Sequence, residues 1–198
     1  MIEESLYLVM LAGASATEVA IRQKAAKIHE EVNQHYDEHP YSVHLNAVAY
    51  HTARYLREVL ISEDDILPVL FGAYFHDSIE DARLTYHDVM KIACVFMSKA
   101  QAYMATEIVY ALTNEKGRNR HERANDKYYD LIKATPYAPL VKACDRLANY
   151  EYAKSTHSRM AAMYDGEMDD FLVSLSAHNG AGAFAIPQSL IDELRKTE

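Results

Sequence analysis

Ile66-Leu67-Pro68-Val69-Leu70-Phe71-Gly72-Ala73-Tyr74-Phe75-His76-Asp77-Ser78-Ile79-Glu80-Asp81 is the stretch whose reading decides the fold. An uncharged apolar run leads directly into a cluster of ionisable side chains. The pattern predicts a helix from Ile66 to about Ile79, with Leu67, Leu70, Tyr74 and Asp77 on its inner face. Pro68 falls in the first turn, where proline is tolerated. Gly72 in mid-helix costs about 1 kcal/mol relative to alanine, which points to close packing at that position.

Reading outward gives more helices. Ser42 to Leu60 carries His44, Val48, His51 and Tyr55 on one stripe, and Pro40 marks the break before it. Thr17 to about Gln34 is a helix opened by the capping-box-like Ser15-Ala16-Thr17-Glu18. Downstream, Thr85 and Asp88 start a short helix through about Phe96, and Lys99 to Leu112 forms the next. Further helices are predicted over Glu122–Lys133, Leu140–Lys154 and His157–Ser174. Thr135-Pro136-Tyr137-Ala138-Pro139 acts as a breaker, and a loop over His178–Gly182 precedes a last amphipathic helix from Pro187. No convincing alternating strand is visible. The fold class is therefore all-α: one helical bundle over 1–198, with a core of about 17–175 and an accessory C-terminal segment.

Composition agrees. A chain of 198 residues can bury about 70% of its unfolded surface without disulfides. An apolar fraction of 49% and a charged fraction of 25% exclude a disordered or fibrous chain. Only 6 glycines and 5 prolines argue against a turn-rich all-β fold. The net charge is −9, with 20 basic and 29 acidic residues, which speaks against nucleic acid as a partner. Cys94 and Cys144 form no zinc or disulfide pattern and read as buried thiols of a reducing compartment. Leu6–Ala14 is too short to span a membrane and lacks a basic flank, so a cytoplasmic location is expected. That segment and the acidic surface permit a homo-oligomer. Tyr103, Tyr110, Tyr128 and Tyr129 sit at helical spacing and read as packing residues.

His76, Asp77, Glu80 and Asp81 carry the chemistry. On a continuous helix they fall within an arc of roughly 140°. Carboxylates that close are costly unless a cation neutralises them. Imidazole with carboxylate suits manganese, iron or zinc; a solvated acidic helix end is the plainer alternative. His44, on an apolar stripe, and Asp145, in the apolar Leu140–Asn149 run, extend the set. Taken singly, each would more often be a satisfied core histidine and a locally paired acid.

These residues resemble the HD-domain metal-dependent phosphohydrolases, and more narrowly the hydrolase domain of RelA/SpoT-type proteins and the stand-alone alarmone hydrolases. The likeness rests on Tyr41-x-x-His44, His76-Asp77-x-x-Glu80-Asp81 and Lys142-x-x-Asp145-Arg146-x-x-Asn149. It covers about Ala25 to Tyr152. It implies that His44, His76, Asp77 and Asp145 bind a divalent metal, manganese foremost, and that Glu80 and Asp81 orient and activate water. Asn149 would contact a phosphorylated nucleotide substrate, with Tyr41, Asn125, Lys142 and Arg146 as further contacts. The implied activity is release of pyrophosphate from the 3′ position of guanosine tetra- or pentaphosphate. In this chain Asp37 and Glu38 stand where such hydrolases carry basic residues, which motivates another nucleotide or phosphoester as the alternative substrate. A non-catalytic nucleotide-sensing module is a different class; the Glu80–Asp81 pair argues against it. A di-metal oxygenase would need further histidine ligands.

Overall fold

Pro68 to Phe75 are all buried, so the helix they build lies inside the protein. A helix apolar on every side is stable only when other elements surround it. The computed structural model describes residues 15–114, 117–176 and 180–196. In them the buried helix is α3 (Ile66–Phe75), preceded by α1 (Ala16–Glu31) and α2 (Ser42–Leu56). After it come α4 (Tyr86–Phe96), α5 (Lys99–Leu112), a single turn α6 (Arg120–Arg123) and α7 (Asp126–Ala134). The chain closes with α8 (Ala138–Ser155), α9 (Arg159–Leu175) and α10 (Gln188–Lys196). The fold is an all-α bundle. Leu6–Ala14, Lys116 and the His178–Asn179 part of the predicted loop lie outside the described residues.

Local chemistry sets the helix starts. Ser15 accepts from Glu18 N, while Thr85 and Ser98 make complete capping boxes with Asp88 and Gln101. Asn125 and Ser158 cap α7 and α9. Helix α8 begins two residues before the predicted Leu140, because Tyr137 turns the chain with φ of 64° and Pro139 fits within the first turn. Tyr137 also fastens this corner. Its hydroxyl donates to Asp65 Oδ2 at 2.6 Å and accepts from Ile61 N, and its N–H donates to Ala183 O.

α3 packs against α1, α2 and α5, and α2 packs along α8. Their shared core includes Leu45, Val48, Phe71, Phe75, Ile108, Leu140 and Leu147. Leu190 and Leu194 bury α10 on its inner side. Among the described residues no helix is long and apolar enough to cross a membrane.

Four expectations change. A small antiparallel hairpin, His35–Tyr36 with His39–Pro40, stands where no strand was predicted; strands of this length leave no alternation to read. α2 ends at Leu56, not Leu60, and closes in i→i+3 turns. Cys94 is exposed, not buried; Cys144 is buried. Tyr128 is buried as a packing residue, but Tyr103 and Tyr110 are largely exposed on α5.

Gly72 marks the closest approach of α3 to α5. A Cβ there would lie 2.6 Å from Ile108 Cγ2 and 3.1 Å from Ile108 Cβ. Overpacking of this kind costs about 1–3 kcal/mol, against about 1 kcal/mol of helix propensity gained. Gly72→Ala is therefore expected to destabilise the protein in chemical denaturation; an unchanged or raised midpoint would mean the two helices separate freely.

Candidate functional site

The predicted helix to Ile79 stops at Phe75. His76 still has helical dihedrals as the C-cap, and turns follow. Ser78 N donates to Phe75 O, Asp81 N to Asp77 O and Leu84 N to Ser78 O. The ionisable block is therefore not one helical arc. The Asp77–Asp81 turn brings those two carboxylates together: Tyr41 Oη donates to Asp77 Oδ2 at 2.5 Å and lies 3.1 Å from Asp81 Oδ2. Glu80 diverges and accepts from Asn114 N and Nδ2 at 2.8–3.3 Å, at the end of α5.

Three segments converge. The first turn of α2 supplies His44, the end of α3 His76 and Asp77, and mid-α8 Asp145. His44 Nε2 and His76 Nε2 lie 3.2 Å apart. Asp77 Oδ2 is 2.9 Å from His76 Nε2 and 3.6 Å from His44 Nε2. Asp145 Oδ1 is 3.3 Å from His44 Nε2 and 3.7 Å from His76 Nε2. His44, His76 and Asp145 are buried, and each offers a donor atom within 4.8 Å of the others.

This donor set fits a divalent cation. Bonds of about 2.1 Å place neighbouring donors about 3.0–4.2 Å apart, close to the 2.9–3.7 Å separations of these atoms. His76 Nδ1 lies 2.8 Å from Ala73 O. That carbonyl can only accept, so the proton sits on Nδ1 and Nε2 keeps its lone pair for the cluster. Asp145 is steered on both oxygens. Lys142 Nζ holds Oδ2 at 2.9 Å and Asn149 Nδ2 holds Oδ1 at 2.7 Å.

The electrostatics follow from this crowding. Burial lowers the pKa of His44, but its hydrogen bonds to the carboxylates of Asp145 and Asp77 override this and push it up to about 9. His76 is raised in the same way, chiefly by Asp77 against burial. Burial works against ionisation of Asp77, yet His76 and His44 hold its carboxyl well below the usual range. For Asp145 burial is again overridden, first by Lys142. Asp81 moves up, through burial and then the charge of Asp77.

A cleft of about 980 Å³ opens on the cluster, lined by Tyr41, His44, Asp77, Glu80, Asp81 and Asp145 at one end. Asn125, Lys142, Arg146 and Asn149 also line it, but each has a partner within the protein. Asn125 caps α7. Lys142 serves Asp145. Arg146 is buried over Tyr164 and Phe171, with Glu167 at 3.5 Å. Asn149 accepts from Tyr36 Oη at 3.0 Å while it donates to Asp145. These residues thus shape and orient the site from within. His51 pairs with Glu151 at 3.1 Å.

Sequence reading missed Asn114, Tyr36, Gln34 and His29. Tyr36, in the hairpin, stacks on the His44 ring at 4.9 Å. Gln34 Nε2 donates to Asp81 at 3.3 Å. His29 stacks on Tyr41 at 4.6 Å. Only His29 left a trace, as a histidine one helical turn after Ala25 on the inner face of α1. The chain matches no protein-family model and no curated protein, so its functional reading rests on this geometry.

Below about pH 9 His44 is protonated when no metal is present. A cation bound there would have to displace that proton, so affinity for a divalent cation, probed with manganese, is expected to rise with pH, by up to about tenfold per unit for each proton displaced. The metal-free protein moves the other way. The folded pKa of His44 lies above its ordinary 6.5, so its stabilisation is complete below that value and lost as pH rises through about 9. Thermal melts with chelator and with manganese, between about pH 6 and pH 9, should show a gap that widens with pH. A constant gap would contradict the proton–metal competition.

Proposed function

We propose that this protein is a metal-dependent phosphohydrolase of the HD class, and that its best single substrate is a guanosine 3′,5′-bis(diphosphate)-type alarmone cleaved at the 3′-pyrophosphate. The observation that carries the reading is the convergence of His44, His76, Asp77 and Asp145 at one end of an open cleft. Two imidazoles and two carboxylates are a borderline-hard donor set, and we propose manganese as the metal. The chemistry such a cation supplies is polarisation of a phosphoryl oxygen and a lowered pKa for water.

The remaining roles fall to the chain. Asp81, whose pKa is raised from its ordinary value by burial and by Asp77, lies beside the cluster in the cleft and is suited to take a proton from the attacking water. Asn114 holds Glu80 at the cleft wall, where it can orient that water. Lys142 and Asn149 fix the direction of Asp145, and Tyr36 covers the outer face of His44.

A second reading keeps the metal and changes the substrate to another nucleotide or phosphoester. Charge in the cleft favours it. Asp126, Glu167 and Asp170 line the wall beyond the cluster, while Lys142 and Arg146 each already face a carboxylate. Among the described residues Arg123, exposed on the cleft wall, is the lining cation left for a substrate with two diphosphates, against those three acids.

Pyrophosphate release from guanosine tetraphosphate with manganese, against Asp77→Ala, is the test. The wild type is expected to release it, and the variant to lose metal and turnover together. An Asp77→Ala protein that is metal-free yet fully active would refute the assignment; no release from a manganese-loaded wild type would move the substrate to a phosphoester panel. Glu80→Gln should keep its metal and lose about 10²-fold or more in kcat, and unchanged turnover would remove Glu80 from the mechanism.

A further inference from the structure

We infer that Tyr41 is a positioning residue, not a substrate contact: its hydroxyl ties the ligand carboxylate Asp77 to the water-activating carboxylate Asp81, and the buried His29 ring is the plate that sets its orientation. The kinetic part of this inference rests on the phosphohydrolase reading above; the geometric part does not.

The phenol is fully engaged. It has one proton and two carboxylate acceptors, Asp77 Oδ2 at 2.5 Å and Asp81 Oδ2 at 3.1 Å. The nearer contact is a short, charge-assisted hydrogen bond. Asp77 Oδ2 is also the Asp77 oxygen that faces His76 Nε2, at 2.9 Å, and His44 Nε2, at 3.6 Å. Tyr41 therefore acts on the very atom that faces the cluster. Asp81 Oδ2 receives its other donor from Gln34 Nε2 at 3.3 Å. Two carboxylates side by side repel. A shared donor between them fixes their separation and the direction in which Asp81 presents its other oxygen.

The ring is fixed on several sides. One face lies on His29, with ring centroids 4.6 Å apart and planes 16° from parallel. His44 and Tyr36 meet it at steep angles, at 5.5 Å and 6.2 Å. His29 is 1% exposed, and neither ring nitrogen has a hydrogen-bond partner among the described residues. A buried histidine with no polar partner contributes nothing through its nitrogens and carries their desolvation cost. What remains is the flat aromatic surface it lays against Tyr41. Burial pushes its pKa down to about 4, so the plate is neutral near pH 7. Thus α1, through His29 and the adjoining Gln34, reaches the chemical site without touching a substrate.

A substrate contact and a positioning residue give opposite kinetic splits. Tyr41→Phe keeps the stack and loses the hydroxyl. It is expected to keep manganese affinity within about threefold and KM within about twofold, while kcat falls about tenfold or more. His29→Leu fills the site without a plate and should lower kcat similarly, with His29→Phe restoring it. The His29→Leu, Tyr41→Phe double variant should be no slower than Tyr41→Phe alone, because both act through one hydroxyl. A raised KM with unchanged kcat in Tyr41→Phe would overturn the proposal and return Tyr41 to the substrate.

A second readout needs no activity. Tyr41→Phe, Asp81→Asn and the double variant are compared by denaturation of the metal-free protein. The two changes are expected to be non-additive, by about fivefold or more in the folding equilibrium constant; additivity would overturn the proposal. If the wild type hydrolysed no phosphoester at all, the phosphohydrolase reading would fail while this cycle still decided the Tyr41–Asp81 coupling.

Discussion

Two imidazole nitrogens face each other across 3.2 Å in the interior, with a carboxylate oxygen beside each of them. Left as bare lone pairs, such atoms repel, so a proton or a metal must stand among them. This constraint organises the rest of the molecule. It requires α2, the end of α3 and α8 to present polar atoms inward from helices that are otherwise apolar. It also requires a rigid frame, since a shift of one ångström would separate the donors. The frame is the packing of α2 against both α3 and α8, around large fully buried side chains such as Leu45, Phe75 and Leu147.

Buried charge is tolerable only where it is matched, and the matching here is layered. Lys142 lies 2.9 Å from Asp145 and below the ring of Tyr128. Asn149 links Asp145 to Tyr36, and Tyr36 in turn packs on His44 and Tyr152. The short hairpin is thereby part of the electrostatic structure of the site, despite its exposed backbone. On the opposite flank, Tyr41 and Gln34 attend to Asp81. Each inward-facing acid of the cluster has a designated donor, and Lys142 of α8 is drawn into that role.

Residue types and spacing were enough to read most of the helices, because apolar stripes reveal which side chains point inward; joining His44, His76, Asp77 and Asp145 as one ligand set took the motif resemblance as well, since His44 and Asp145 singly have plainer readings. The departures have a common cause. His76 to Asp81 were read as one helical arc, but α3 ends at Phe75 and the turns send Asp81 and Glu80 to different neighbours. Arg146, Lys142, Asn149 and Asn125 do line the cleft, but each also has an internal partner. Of these, the Glu167 and Tyr36 pairings join different elements, which local spacing does not reveal. Asn114 was invisible for the same reason: it meets Glu80 from 34 residues away.

The four converging side chains come from three segments well separated along the chain, and the last of them lies on α8. Contacts between distant segments carry the largest loop-closure entropy. Bringing Asp145 to His44 and His76 therefore closes a long stretch of chain. Tyr137, by fixing the start of α8 to Asp65 and Ile61 just ahead of α3, closes part of the same stretch independently of the cluster. The cluster is in this sense a clasp, since its donors meet only where α2, the end of α3 and α8 are held together.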